Sequence, residues 1–265
     1  MADKGARTIP KAVRELCLAF PEAEEFESHG APNYRARKSR VFAMFALNHH
    51  GDGHVALWLN TPALEQARLL ASSQHIFKPP YVGPSGWIGV ELNKGVSWKQ
   101  VCELVRLAYA NSSPAKLVAR VAKTPAIAAP AVKMKPADID RMLAPKAQKA
   151  LKLLREICAA LPEADEGTQM GSVTWRTGKR SFLMLYDYGK GLTTSFWVGI
   201  ERQGPLEMDP RLRIPAYLGH NGWIAFDLAG GANSRELREF VVESFRHFAT
   251  RRALAALDAK PSRVA

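Results

Sequence analysis

Apolar residues recur with helical spacing at the start of two separate stretches of the chain. In the first stretch, Val13, Leu16, Cys17 and Phe20 fall on one face of a helix that begins near Ile9. The second stretch, 145–161, repeats this spacing, with apolar positions at Ala147, Leu151, Leu154, Ile157, Cys158 and Leu161. Both stretches end at a proline followed by acidic residues. The pattern therefore predicts two amphipathic helices that end at matching points.

Strand-like segments follow each predicted helix. Apolar runs bounded by turn residues predict strands at 33–37, 41–47, 54–60 and 86–92, and again at 173–176, 181–187, 194–200 and 222–228. A helix is predicted at 62–72, whereas the matching stretch around 203–213 is shorter and interrupted by proline. Closing helices are predicted at 97–110 and 234–249. The order α-β-β-β-(α)-β-α, with helices at both ends, predicts an α+β domain with an antiparallel sheet.

The two halves of the 265-residue chain are copies of one another. Residues 14–25 read RELCLAFPEAEE and residues 155–166 read REICAALPEADE, an offset of 141. Further on, Gly-Trp-Ile at 86–88 matches Gly-Trp-Ile at 222–224, an offset of 136. We therefore predict two domains of ordinary size, 8–117 and 138–256. Features present in both copies belong to the fold, and features of one copy are candidates for function.

The net charge of +12 is concentrated where the copies join. Between residues 116 and 155, ten Lys and Arg face two Asp and Glu. Residues 118–137 are rich in Ala, Pro and Lys, and Pro125, Pro130 and Pro136 disfavour helix there. We interpret this segment as a semi-rigid, basic linker. Its lysines could attract phosphates by counterion release, or merely keep a solvated linker soluble, and Lys123, Lys133 and Lys135 are the candidates.

The remaining composition is typical of a globular protein. No run of apolar residues is long enough for a membrane helix, and the N-terminus lacks the apolar stretch of a signal peptide, so we expect a cytoplasmic protein without a membrane partner. Cys17 and Cys158 lie at matching positions on apolar helix faces, and Cys102 lies on another predicted helix. This placement favours buried free thiols over disulfides or catalysis.

Several motifs follow one another in the same order in each copy: the helix ending in PEA(E/D)E, the aromatic-Arg-x-x-Lys hairpin, the Pro-x-Tyr segment, the Gly-Trp-Ile strand and a closing helix with an aromatic near its end. This conjunction resembles the MmcQ/YjbR family. The resemblance spans nearly all of both copies and implies a small α+β fold similar to the double-wing domain of a phage transcription factor. It also implies DNA binding, an inference that rests on fold similarity. The tandem arrangement and the residues lost before Tyr217 depart from the family's single-domain pattern.

Basic residues cluster at the first predicted hairpin of each copy. They are Arg35, Arg37, Lys38 and Arg40 in the first copy, and Arg176, Lys179 and Arg180 in the second. Hairpin tips project from a domain, and guanidinium groups bind phosphate oxygens in pairs, so these residues could grip a nucleic-acid backbone as a wing does. The alternative is an ordinary solvated turn.

Four aromatic residues recur at matching positions near the Gly-Trp-Ile strands. Tyr81, Trp87, Tyr217 and Trp223 could stack on bases if they are exposed, or line a pocket for a small ligand. Because both tryptophans open strongly apolar strands, packing in the core is favoured.

The sequence contains no recognisable catalytic or metal motif. His49, His50 and His54 flank one turn, but no nearby residues complete a ligand set, and we predict no metal and no cofactor. The acids Glu22, Glu24 and Glu25, with Glu163, Asp165 and Glu166 in the second copy, are interpreted as solvated turns after the opening helices. Phosphate-binding loops, dinucleotide fingerprints and nucleophile elbows are absent from the sequence.

The sequence is consistent with two functions. The first is a non-enzymatic protein that binds nucleic acid, with DNA as the candidate partner, mainly through phosphates and without sequence specificity. The second is a protein-interaction or small-ligand module whose two copies pack as a pseudo-dimer within a monomer. A shared basic surface would favour the first, and an extensive apolar contact between the copies would favour the second.

Overall fold

A computed structural model describes residues 7–28, 30–188 and 191–259. The chain divides into two compact units, and the boundary falls between Ile139 and Asp140. None of the described helices is long and apolar enough to cross a membrane.

The first unit is built on one six-stranded antiparallel sheet whose strand order is β1-β2-β3-β4-β6-β5. Its elements are α1 (Ile9–Leu18), β1 (Ala23–Ser28), β2 (Ala31–Ala36), β3 (Val41–Leu47), β4 (Val55–Asn60), α2 (Ala63–Ser72), β5 (Ile76–Phe77), β6 (Trp87–Glu91), α3 (Trp98–Ser112), α4 (Ala115–Val118) and α5 (Pro136–Ile139). The predicted strands of the first copy are present, and the α+β class with antiparallel pairing is confirmed.

The core of the first unit lies between the sheet and the helices α1 and α3. Alternate residues of the central strands, such as Leu57, Leu59, Ile88 and Val90, point into it and are buried. Tyr109 on α3 is fully buried and donates a hydrogen bond from its hydroxyl to the Pro21 carbonyl at 2.7 Å. The closing helix is thereby tied to the end of the opening helix, 88 residues earlier in the chain.

The second unit repeats this architecture, with strands in the order β11-β12-β10-β9-β8-β7. Its elements are α6 (Pro145–Cys158), β7 (Ala164–Gln169), β8 (Ser172–Thr177), β9 (Arg180–Tyr188), β10 (Gly191–Trp197), α7 (Ile200–Leu206), β11 (Leu212–Arg213), β12 (Trp223–Asp227), α8 (Ser234–Phe248) and α9 (Arg251–Asp258). Strand β10 begins and ends three residues before the predicted segment 194–200, and α7 is one helical turn shorter than its counterpart α2.

A glutamine bridge is common to both copies. Gln66 on α2 donates from Nε2 to the carbonyls of Gly83 and Trp87, both at 2.7 Å. Gln203 on α7 donates in the same way to the carbonyls of Gly219 and Trp223, at 2.8 and 2.7 Å. These bonds join the short helix to the start of the Trp strand in each unit, so the apparently divergent 203–213 stretch keeps the contact on which the fold depends.

The acidic segments after the opening helices are strands, which corrects their interpretation as solvated turns. Residues 23–28 pair with 31–36 along their whole length, and 164–169 pair with 172–177 in the same way. Both are edge strands held mainly by backbone hydrogen bonds, so their side chains lack the apolar alternation that predicts a strand. Glu24 and Glu25 lie on β1, and Asp165 and Glu166 lie on β7.

The segment 118–137 is not a solvated linker, because it is docked along the first unit. We call residues 119–135, between α4 and α5, the strap. Val121, Ile127 and Met134 of the strap pack against the core. Its backbone is bonded as well: the Trp98 indole donates to the Ile127 carbonyl at 2.8 Å, and Asn93 Oδ1 accepts from the Met134 amide at 3.0 Å. The strap has too few apolar residues for a core of its own, but enough to dock on an existing one.

Candidate functional site

The basic hairpin of the first unit is largely engaged by its own chain. Arg35 Nε donates to Glu24 Oε1 at 2.6 Å, and its guanidinium lies 4.5 Å from the centre of the Phe26 ring. Arg37 pairs with Glu22, and the pairing lowers the pKa of the Glu22 carboxyl. Arg40 donates to the Asn111 carbonyl at 2.8 Å.

Lys38 is exposed and forms no ion pair with any described residue. Of the four basic residues predicted at this hairpin, it is therefore the one most available to an external anion.

The matching hairpin of the second unit leaves its cations more accessible. Arg176 donates to the neutral Gln169 side chain at 3.1 Å. Lys179 and Arg180 are exposed, and neither is in a salt bridge within the described part of the chain. The two hairpins are similar in sequence, yet only the first is neutralised by carboxylates of the neighbouring edge strand and turn.

The strap presents a further set of cations. Lys123, Lys133 and Lys135 are exposed and have no carboxylate partner among the described residues. No Asp or Glu occurs between 104 and 137, so the strap contains no acidic residue of its own, although the Glu103 and Asp138 carboxylates accept hydrogen bonds from the Thr124 hydroxyl and the Lys135 backbone amide. Arg120, where the strap begins, is different because it pairs with Glu22 at 2.7 Å.

The four predicted aromatic residues do not form one site. Tyr81 and Tyr217 are 68% and 80% exposed, so core packing was the wrong expectation for both. Trp223 is 6% exposed and fits that expectation, and Trp87 is half-buried beside Trp58 on the sheet face away from α1 and α3.

Tyr81 has a left-handed backbone, with φ of 64°, and its ring lies 6.0 Å from the rings of His49 and His50. Partial burial lowers the pKa of His49, whose ring lies 4.7 Å from that of Trp58.

The described residues contain no group of three or more His, Cys, Asp or Glu that could share a metal ion.

A pocket of about 400 Å³ opens in the second unit, where the β8–β9 hairpin, the ends of β10 and β12, and the end of α8 meet. It is lined by Arg180, Trp197, Asn221, Trp223, His247 and Phe248. Two of the residues singled out from the sequence therefore line the same pocket: Arg180 of the basic hairpin and the aromatic residue Trp223.

The aromatic wall of the pocket is a packed stack. The rings of Trp197 and His247 are nearly parallel, with centroids 3.5 Å apart and planes 10° apart. Phe248 lies edge-on to Trp197 at 6.5 Å and tilted against Trp223 at 5.9 Å. Desolvation lowers the pKa of His247, and the positive charge of Arg180 lowers it further. The imidazole is therefore held neutral at pH 7, and the pocket rim is positive because of Arg180.

In the first unit, the position equivalent to this pocket is occupied by different side chains. Asn60 pairs with Trp87 as Trp197 pairs with Trp223, so Asn60 and Trp197 are equivalent. At the offset of 136, Asn111 is equivalent to His247. Asn111 donates from Nδ2 to the Asn60 carbonyl at 3.1 Å and to Asn60 Oδ1 at 3.2 Å. In the first unit, two asparagine side chains that are hydrogen-bonded to each other therefore take the place of the aromatic stack.

Sequence reasoning missed Trp197, Asn221, His247 and Phe248. The available signal was the change from polar to aromatic between copies: Asn60 to Trp197, Asn111 to His247 and Ser112 to Phe248. Matching the copies residue by residue along the closing helices would have revealed it.

The two units are tandem copies of one α+β domain, each with a six-stranded antiparallel sheet and helices at both ends. The YjbR family model matches residues 18–111 and 159–247, one match in each unit. The chain therefore belongs to the YjbR family.

Among solved structures, the chain is similar to the crystal structure of Deinococcus radiodurans protein DR2400, described as a DUF419 domain. The identity is 19%, the TM-score is 0.35, and the match covers 42% of this chain and 88% of that one. None of the curated proteins searched matches the chain.

Proposed function

We propose that the protein binds nucleic acid, without catalysis and without sequence specificity, and that the strap supplies the principal phosphate contacts. The observation that carries this proposal is the docked strap with its three exposed, unpaired lysines Lys123, Lys133 and Lys135. Lysine ammonium groups bind phosphate oxygens as point charges, and each contact releases counterions from the polymer.

Docking of the strap lowers the cost of binding. A free linker would lose backbone entropy when its lysines engaged a polymer, whereas a segment already fixed to the core does not. Trp98 and Asn93 hold the strap backbone at two points, near Ile127 and Met134. The lysines are therefore presented from a supported backbone, although their side chains stay free to adjust.

The hairpins contribute unequally in this proposal. Arg35, Arg37 and Arg40 are already engaged by groups of the first unit, so an added phosphate would have to compete with those contacts. Lys38, Lys179 and Arg180 have no such competitors among the described residues. We assign them a secondary role in phosphate binding.

Fluorescence anisotropy of a labelled duplex across a salt series tests the proposal. Each phosphate contact contributes about −0.9 to the slope of log K against log salt, so replacing Lys123, Lys133 and Lys135 by Gln should make the slope less steep by about 2.7. Binding should weaken to the same extent for duplexes of unrelated sequence, because phosphate contacts carry no sequence information.

A matched variant controls for net charge alone. Replacing the exposed Lys11, Lys78 and Lys152, which lie outside the strap, by Gln removes the same charge and should change the slope much less. Absence of binding at roughly 50 mM salt, or equal weakening by the two triple variants, would overturn the proposal.

A further inference from the structure

The pocket of the second unit has an aromatic wall and a basic residue at its rim, and we propose that it binds a nucleotide-like ligand, a flat nitrogen heterocycle with a nearby phosphate. Its volume of about 400 Å³ lies within the range of small-molecule sites. The pocket lies in the second unit, whereas the strap is docked on the first, and the proposal does not depend on the strap's role.

The aromatic side chains select a flat ring. The rings of Trp197 and His247 stack in parallel, and Phe248 packs against both Trp197 and Trp223. Because these rings fix one another, the wall is ordered before a ligand arrives and little side-chain entropy is lost on binding. Stacking on such a wall holds any nucleobase, since every base has a π-face.

Two polar groups at the rim select the rest of the ligand. Arg180 is exposed, and no described carboxylate neutralises it, so its guanidinium can bind a phosphate through two hydrogen bonds. The exposed Asn221 side chain makes no hydrogen bond to the described protein and offers both a donor and an acceptor to the edge of a heterocycle. A ring with heteroatoms and a nearby anion fits this combination.

The first unit shows what the same place looks like without a ligand site. There the Asn111 amide is satisfied by Asn60, and the Arg40 guanidinium donates to the Asn111 carbonyl. Arg40 is the equivalent of Arg180, because each directly precedes the residue that pairs with the matching arginine of the neighbouring strand, Val41 with Arg35 and Ser181 with Arg176. Ligand binding is therefore confined to the second copy.

Isothermal titration calorimetry of the full chain with adenosine 5′-monophosphate tests the proposal. Adenosine and inorganic phosphate, each of which carries only half of the recognised chemistry, should bind at least about tenfold more weakly. A single-stranded tetra-adenylate distinguishes the source of the ligand: tighter binding than the mononucleotide indicates a nucleic-acid strand, and weaker binding indicates a free nucleotide. Either result supports the site.

Variants assign the binding to this pocket. Arg180→Gln should reduce the affinity for the mononucleotide to that for adenosine, whereas Arg40→Gln, the equivalent change in the first unit, should leave it unchanged. Trp197→Asn, His247→Asn and Phe248→Ser together copy the first unit into the second and should abolish binding; the exposed Arg180→Gln variant decides the matter if this triple variant does not fold.

The proposal is overturned if the mononucleotide does not bind, whatever tetra-adenylate does, because the strap lysines could hold the longer polyanion without this pocket. It is overturned as well if phosphate alone binds as tightly as the mononucleotide, or if Arg40→Gln weakens binding as much as Arg180→Gln. Replacing the strap lysines should not affect the mononucleotide, so failure of this site and failure of the strap proposal are separate results.

Discussion

Trp98 Nε1 donates a hydrogen bond to the backbone carbonyl of Ile127 at 2.8 Å, and this bond fastens the middle of the strap to the start of α3. The bond joins a side chain at the N-terminal end of a helix to an extended segment that forms no helix or strand of its own. The position of the strap lysines therefore depends on a residue outside the strap.

Trp98→Phe should loosen the strap while keeping most of the ring packing. A lost hydrogen bond of this kind costs about 1 kcal/mol, and the strap should open more often without global unfolding. Limited proteolysis with trypsin should then cut after Lys123 or Lys133 faster than in the unaltered protein. Trp87→Phe is the control, since Trp87 makes no hydrogen bond to the strap in the described structure; equal cutting rates in the two variants would contradict the prediction.

Gln203→Leu should destabilise the second unit more than most single substitutions do. It removes the side-chain donor from the Trp223 carbonyl and leaves the Gly219 carbonyl with the Gly222 amide alone, at a cost of about 1–3 kcal/mol in total. Urea unfolding of the full chain measures the loss. Gln66→Leu is the matched change in the first unit, where the glutamine is less buried, and its effect should be smaller. A change below about 0.5 kcal/mol for Gln203→Leu would contradict this account.

Two histidines should make the fold less stable as the pH falls below neutrality. Partial desolvation lowers the pKa of His49, and partial desolvation together with the positive charge of Arg180 lowers that of the more exposed His247, so the unfolded chain takes up protons first. Their contribution to the free energy of unfolding is complete above about pH 6.5, the pKa of histidine in the unfolded chain. It is lost as the pH falls through the lower pKa values of the two histidines in the folded protein. Melting temperatures measured across this range should decline.

Replacing His49 and His247 by Asn should flatten that decline. The carboxylates with lowered pKa, such as Glu166 and Asp209, titrate at more acidic pH and do not contribute in this window. A decline of unchanged steepness in the double variant would show that other groups are responsible.

The three cysteines should be inert in the folded protein. Burial raises the pKa of the Cys17, Cys102 and Cys158 thiols, so almost no reactive thiolate is present near pH 8. A disulfide exchange reagent should therefore label the chain only after denaturant is added. Fast labelling of one thiol in native buffer would contradict the prediction, and single Cys→Ala variants would identify it.

Periodicity predicted the elements whose stability depends on burial. Helices α1 and α3 and strands β3 and β4 carry an apolar face, and that face is visible in the sequence. Edge strands β1 and β7 were missed because backbone pairing stabilises them and leaves their side chains polar. Docking of the strap was missed because it depends on Trp98 and Asn93, which belong to other segments.

The candidate site was predictable only in part. Arg180 and Trp223 belong to patterns that recur in both copies, and both line the pocket. Trp197 and His247 are 50 residues apart in sequence and meet only in the folded unit. Sequence motifs do not predict this contact, although both positions differ in residue type between the two copies.

The acidic edge strands have a consequence for a protein that contains the same domain twice. Two sheets of the same strand order on one chain can exchange strands while folding. Glu24, Glu25 and Glu166 are paired with Arg35, Arg14 and Arg155, whereas Glu27 on β1 and Asp165 on β7 have no basic partner in a salt bridge among the described residues. Repulsion between these two unpaired carboxylates opposes pairing of one edge with the other, and each copy is favoured to complete its own sheet.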